Sequence, residues 1–246
     1  MTGTVCLQGG GEFSVGCRAM DSDLARQAGG PVVVAALAGT VGGDYRTATE
    51  NGVRHFRALG TLGAAGALEV VGAPDVREDP AGALAVLRTA RLLVLPGGSP
   101  SRLLEVLQTT GVGDVVAQLL ADGGTVMGSS AGAMVLGAWT VLPDRRSGAG
   151  MQVVPGLGLV PDVLVIPHWS GGSSRDDWLQ VVAEHVPPEV VVLGIPEESG
   201  VLVAPAGLTA VGSSPTTLVR EQRDVALGEV FVLRRSGTAG QTGRCA

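Results

Sequence analysis

Gly123-Gly124-Thr125-Val126-Met127-Gly128-Ser129-Ser130-Ala131-Gly132-Ala133-Met134 is the stretch whose reading decides the fold. A short apolar run enters a cluster of small residues and leaves in an Ala-rich helical pattern, which reads as a buried strand turning sharply into a helix. Within it, Gly128-Ser129-Ser130-Ala131-Gly132 has the G-x-S-x-G spacing of a nucleophile elbow. The reason for the spacing is steric. A nucleophile on so tight a turn needs small neighbours two positions before and two after it. The turn lifts the Ser130 hydroxyl clear of the sheet and aims the N–H groups that follow it, Ala131 first, toward developing negative charge. Ser130 is central in the motif, so Ser129 is the weaker nucleophile candidate.

Outward from this stretch, the same strand-then-helix grammar repeats. Val5–Leu7, Val32–Leu37, Leu68–Val71, Arg91–Leu95, Thr125–Met127, Val163–Ile166 and Val190–Leu193 are continuous apolar runs, the signature of strands covered on both faces. Helical patterns lie between them: Asp21 to Ala28, Thr47 to Leu59, Pro80 to Thr89, Ser101 to Leu107, Asp114 to Ala121 and Ser174 to His185. The alternation predicts an α/β fold, a doubly wound, mainly parallel sheet flanked by helices. Near the C-terminus, Val201–Ala204, Thr209–Val211, Thr216–Arg220 and Glu229–Leu233 are short strands between turn residues and predict antiparallel edge strands. Residues 1–233 read as one domain and 234–246 as a flexible tail.

Composition narrows the chemistry. All seventeen basic residues are Arg, so a P-loop lysine and every Schiff-base mechanism are excluded. Net charge is −6 with no basic block, against nucleic acid or an anionic membrane as partner. No run is long enough for a membrane span and the first residues lack a charged leader, so a cytoplasmic location is expected. Cys6, Cys17 and Cys245 share no ligand spacing, and neither a metal site nor an organic cofactor is expected.

A serine nucleophile needs a base, and the chain offers three histidines. His55 sits in a charged helical stretch and reads as a solvated face, while His185 closes a helix, where a cation suits the dipole. His168 follows the run Val163-Leu164-Val165-Ile166-Pro167 and so falls at a strand's C-terminal end, the edge where open α/β sheets gather their reacting groups. The third member must hold the imidazole tautomer. Glu197 and Glu198 follow another apolar strand and meet that condition; Asp144 is a rival in a turn, and Glu197 is preferred. Leu95-Pro96-Gly97-Gly98-Ser99-Pro100 ends a strand with paired glycines, making Gly98 a candidate second oxyanion donor and Gly97 and Ser99 candidates for substrate contact. Gly9-Gly10-Gly11-Glu12 lacks dinucleotide-binding spacing and reads as a loop lining the same edge.

With Gly-Gly-Gly-Glu, Pro-Gly-Gly, Gly-Ser-Ser-Ala-Gly-Ala, Pro-His and Gly-Ile-Pro-Glu in that order, the chain resembles the peptidase E and cyanophycinase family of serine peptidases from about Val5 to Leu233. The resemblance implies a class I glutamine amidotransferase-like fold and a Ser–His–Glu triad on Ser130, His168 and Glu197. It puts the oxyanion hole on the backbone of Gly98 and Ala131. It implies a small peptide substrate and is compatible with a homodimer. Two departures stand out. Ser99-Pro100 replace the residues the family often carries after its glycines. Arg175 followed by Asp176-Asp177 replaces the several Arg that help members recognise acidic substrates, which leaves Asp specificity open. The chain order Ser, His, Glu separates this reading from an α/β-hydrolase esterase, which has its His last. Ser130 stands where a glutamine amidotransferase needs Cys. A catalytically degenerate member acting as a binding module is the non-enzyme alternative.

Overall fold

In the computed structural model, which describes residues 2–60, 68–143, 150–171 and 175–232, the apolar runs of the N-terminal half form a sheet with both faces covered. Strands β1 (Thr4–Gln8), β2 (Val32–Val34), β3 (Val70–Gly72), β4 (Leu92–Leu95) and β5 (Thr125–Ser129) pair in parallel, in the order β1-β5-β4-β2-β3. Their side chains alternate between two cores. Val5, Leu7, Leu93, Leu95 and Val126 enter one hydrophobic cluster, and Cys6, Leu92, Val94 and Met127 enter the other. Each such buried aliphatic side chain stabilises the fold by about 1.5–3 kcal/mol.

Helices α1 (Arg18–Ala28) and α2 (Gly43–Gly60) cover the second face through Met20, Leu24, Phe56 and Leu59. Helices α3 (Pro80–Leu87), α4 (Pro100–Thr109) and α5 (Val112–Ala121) cover the first through Leu87, Leu103 and Val116. The expected antiparallel additions are present. Strands β10 (Ser199–Ala204), β11 (Gly207–Gly212) and β14 (Val230–Phe231) extend the sheet beyond β1, giving eight strands.

The remaining strands build a second sheet, which the apolar runs did not separate from the first. It has the order β13-β12-β9-β8-β6-β7, with β6 (Gly137–Pro143), β7 (Met151–Pro155), β8 (Val160–Pro167), β9 (Val191–Ile195), β12 (Thr216–Leu218) and β13 (Arg223–Val225). Helix α6 (Ala131–Leu136), buried at every residue, packs against β1 and β5 of one sheet and β6 and β8 of the other. Val163, Val165, Leu193 and Ile195 join the first sheet's cluster from the far side, and α7 (Asp176–His185) covers the outer face of β8 and β9.

Several expectations change in detail. The run Val32–Leu37 stops as strand at Val34, where the Ala36 N–H donates to Thr49 Oγ1 at 3.2 Å and the Leu37 N–H turns back to Ala35 O at 2.9 Å instead of joining the ladder. His55 is not on a solvated face. Its Nε2 lies 2.8 Å from Asp21 Oδ2, with side-chain exposures of 7% and 0%, so a charged-looking stretch hides a buried pair. Ser174, Leu233 and the tail 234–246 lie outside the described residues. Among the described residues no helix is long and apolar enough to cross a membrane.

Candidate active site

The strand-to-helix turn after β5 is as tight as the G-x-S-x-G spacing requires. A Cβ on Gly128 would come within 2.5 Å of Gly132 C, and one on Gly132 within 2.4 Å of Leu95 O. Ser130 sits between them at φ 48° and ψ −108°, a conformation that costs a non-glycine residue about 1–3 kcal/mol. The turn is held from both sides, since Ser130 N–H donates to Gln8 O at 2.9 Å and Ser130 O accepts from Met134 N–H at 3.0 Å. Ala131 N–H begins α6, where no intrahelical acceptor exists.

The ends of β8 and β9 deliver the other two groups. His168 follows β8, and its Nε2 stands 2.9 Å from Ser130 Oγ. Glu197 follows β9, and its Oε1 stands 2.9 Å from His168 Nδ1. A carboxylate only accepts, so Nδ1 carries the ring proton and Nε2 is left to accept from the Ser130 hydroxyl. His168 has φ 51°, and its N–H donates to Gly9 O at 2.8 Å. The ring packs against the glycine loop after β1, where a Cβ on Gly10 would lie 2.3 Å from His168 Cε1. Any larger residue at position 10 displaces the imidazole.

The two adjacent glutamates diverge. Glu198, at φ 56°, donates its N–H to Gly10 O and turns its carboxylate away to accept from Ser14 Oγ at 2.7 Å. Only Glu197 meets His168; Asp144 lies outside the described residues.

The remaining sequence candidates divide similarly. Gly97 lies against the nucleophile, with an added Cβ 3.1 Å from Ser130 Cβ, and Gly98 has φ 140°, which glycine alone adopts readily. Ser99 is engaged elsewhere: its hydroxyl caps α4 by accepting from Arg102 N–H at 3.3 Å, with Pro100 in the first turn. Arg175 places its guanidinium over Trp178 at 5.2 Å and reaches back to Pro167 O at 3.4 Å, while its buried Nε has no hydrogen-bond partner among the described residues.

Sequence reasoning treated Glu12 only as part of a lining loop. Its carboxylate in fact accepts from Gly97 N–H and from Ser129 Oγ, each at 2.9 Å. Nothing local in the sequence signals this, because its partners lie 85 and 117 positions away. Cys6 and Cys17 are buried free thiols; burial pushes the Cys17 thiol up to about 11, and Cys6 higher still. Among the described residues no group of three or more His, Cys, Asp or Glu side chains is arranged to hold a metal ion.

The family model of peptidase family S51 matches residues 40–211. The chain is 30% identical over 181 residues to the cyanophycinases of Trichormus variabilis and of Nostoc sp., an alignment covering 68% of this chain. It spans only 58% of the length of those two relatives. Among solved structures, a peptidase from an acI-B1 Actinobacterium superposes with a TM-score of 0.77 at 22% identity, covering 94% of this chain and 97% of that one. A peptidase E candidate from Listeria monocytogenes EGD-e superposes with a TM-score of 0.60 at 18% identity, covering 87% and 100%. At these identities the two structures bear on the fold.

Proposed function

The chain belongs to peptidase family S51, and from that premise we propose that it is a serine-dependent hydrolase of small peptides or peptide-like amides. The observation that carries the proposal is the line of two 2.9 Å contacts from Ser130 Oγ through the His168 ring to Glu197.

In this reading Ser130 Oγ attacks the scissile carbonyl while His168 Nε2 takes its proton. Glu197 holds the Nδ1–H and stabilises the imidazolium as it forms. The carbonyl oxygen, now an oxyanion, is received by the N–H groups of Gly98 and Ala131. Collapse expels the amine, which takes its proton from His168, and leaves an acyl group on Ser130. Water, deprotonated by the same imidazole, then releases the acid.

Arg175 supports a preference for a carboxylate-bearing peptide. Its Nε has no hydrogen-bond partner among the described residues, and its guanidinium, 5.2 Å from the Trp178 ring centre, is a charged donor suited to a carboxylate. Asp176 and Asp177, both exposed, follow it at the start of α7.

The test is a dipeptide panel of Asp-X, β-aspartyl and neutral substrates, run with the wild type and Ser130→Ala. Hydrolysis that vanishes with Ser130 is the expected result. A folded wild type inert toward the whole panel would favour the binding-module reading.

A further inference from the structure

The Glu12 carboxylate raises a question that the hydrolase reading leaves unanswered. It lies beside Ser130, near where negative charge develops during attack, and a carboxylate there opposes that charge. Among the described residues it has no cationic partner within ion-pair distance. It is half-buried, and both oxygens are occupied by neutral donors. A group kept in so adverse a place needs a compensating role.

Its two donors supply one. Gly97 N–H belongs to the residue immediately before Gly98, and the Ser129 hydroxyl to the residue immediately before Ser130 and Ala131. One carboxylate therefore spans the turn after β4 and the turn after β5, which carry the two oxyanion donors. Hydrogen bonds to an ionised acceptor are about twice as strong as neutral ones. The contact is close-packed: a Cβ on Gly97 would stand 3.0 Å from Glu12 Oε1 and 3.1 Å from Ser130 Cβ.

Glu12 itself is anchored. Gly9 N–H donates to Ser199 O at 2.9 Å, and Phe13, at φ 66°, lays its ring 5.5 Å from His55 and 6.4 Å from Phe56 on α2. The His55 that looked solvated in the sequence is thus part of the platform behind this loop, fixed by Asp21.

Resting on the hydrolase reading, we propose that Glu12 is a positioning residue that sets the separation of the Gly98 and Ala131 N–H groups. It touches neither substrate nor reacting atoms, and acts through the two turns it ties. Its role is to make two hydrogen bonds at fixed points, and its charge is not a catalytic element. Gln, which can accept from Gly97 with its oxygen and donate to the Ser129 oxygen with its amide, should therefore replace it nearly intact.

The experiment measures the rate constant of phosphonylation by a fluorophosphonate across pH, together with thermal melts. It compares the wild type, Ser130→Ala, Glu12→Ala, Glu12→Gln and Ser129→Ala. The phosphoryl oxygen of the probe occupies the oxyanion position, so the rate reads the donors' placement. Glu12→Ala should label about 100-fold more slowly, the scale of a misplacement near 1 Å. The midpoint of its pH profile should match the wild type, because the His168–Glu197 pair is untouched. Glu12→Gln should stay within about fivefold of the wild type and Ser129→Ala should fall about tenfold, since one tie of two remains. If Glu12→Ala does not fold, Glu12→Gln and Ser129→Ala carry the test.

Any of these labelling outcomes overturns the assignment alone: Glu12→Ala labelling as fast as the wild type, Glu12→Gln as slow as Glu12→Ala, or Ser129→Ala unchanged. A shifted midpoint in Glu12→Ala would also overturn it, by putting the effect on His168. Wild-type protein that shows no Ser130-dependent labelling overturns the hydrolase reading with it.

Discussion

On the eight-stranded side of the site, the functional groups are tied from several directions. Ser130 is held by its own N–H and C=O and by the glycine contacts around it, Gly97 by Glu12, and Ser129 is 1% exposed. On the six-stranded side, His168 and Glu197 stand at open strand ends with side-chain exposures of 38% and 62%. The backbone of His168 is fixed by Gly9 O, but Glu197's carboxylate has the imidazole as its one partner among the described contacts. In the hydrolase proposed above, one sheet would present the nucleophile on a firmly held turn and the other would supply the proton relay from an accessible rim. The contrast follows from position: the turn after β5 is wedged between both sheets by α6, whereas the residues just beyond the buried ends of β8 and β9 carry accessible side chains. Damage to the two sides should therefore differ, with the rim losing activity while keeping stability.

The largest effect expected from the rim is that of His168→Ala. Turnover should fall by about 10⁴-fold or more, with a melting temperature close to the wild type because the side chain is not a core residue. Steady-state kinetics beside a thermal melt checks both halves, and a large loss of stability would break the contrast. Next comes the divergence of the adjacent glutamates. Glu197→Gln should cost on the order of 10²–10³-fold in kcat, since Gln can present the wrong partner to Nδ1. Glu198→Gln should cost less than about fivefold in kcat, but about 1 kcal/mol in stability by weakening the Ser14 hydrogen bond. Parallel measurement of kcat and denaturant midpoint for both variants decides which carboxylate serves the imidazole.

A smaller change is expected at Arg175. Arg175→Ala should raise KM for an acidic dipeptide by about tenfold and leave a neutral one unaltered, on the scale of one charge-assisted hydrogen bond. Equal effects on both substrates would remove Arg175 from specificity. The least change should follow thiol modification. With the Cys17 thiol pushed up to about 11 by burial and Cys6 higher, iodoacetamide at pH 8 should modify Cys17 on the order of a hundredfold more slowly than an ordinary thiol, and Cys6 more slowly still. Peptide mapping of briefly treated native protein should find both unmodified and activity intact.

Much of this organisation is legible in the sequence, for identifiable reasons. The central strands are continuous apolar runs because both faces are covered, and Gly128 and Gly132 flank Ser130 because the turn leaves no room for a side chain. His168 and Glu197 are found by their place after apolar strands, a local signal that long-range pairing happens to honour. What is missed depends on partners distant in the chain. Strands β6 and β7 fall in a stretch to which the sequence reading assigns no element, and it is their pairing with each other and with β8 that makes Gly137 onward strand. Strand β13 is charged and lies at a sheet edge, with too little burial to leave an apolar signature. The His55–Asp21 pair spans 34 positions, and Glu12 reaches further, so neither has a periodic mark.

In the proposed hydrolase Ser130 is the group that becomes acylated. Brief treatment of the native protein with a fluorophosphonate, followed by peptide mapping by mass spectrometry, tests it directly. One adduct, on the peptide containing Ser130 and absent from Ser130→Ala and His168→Ala, is the predicted result. An adduct on Ser129 or elsewhere, or labelling that persists without His168, would contradict it.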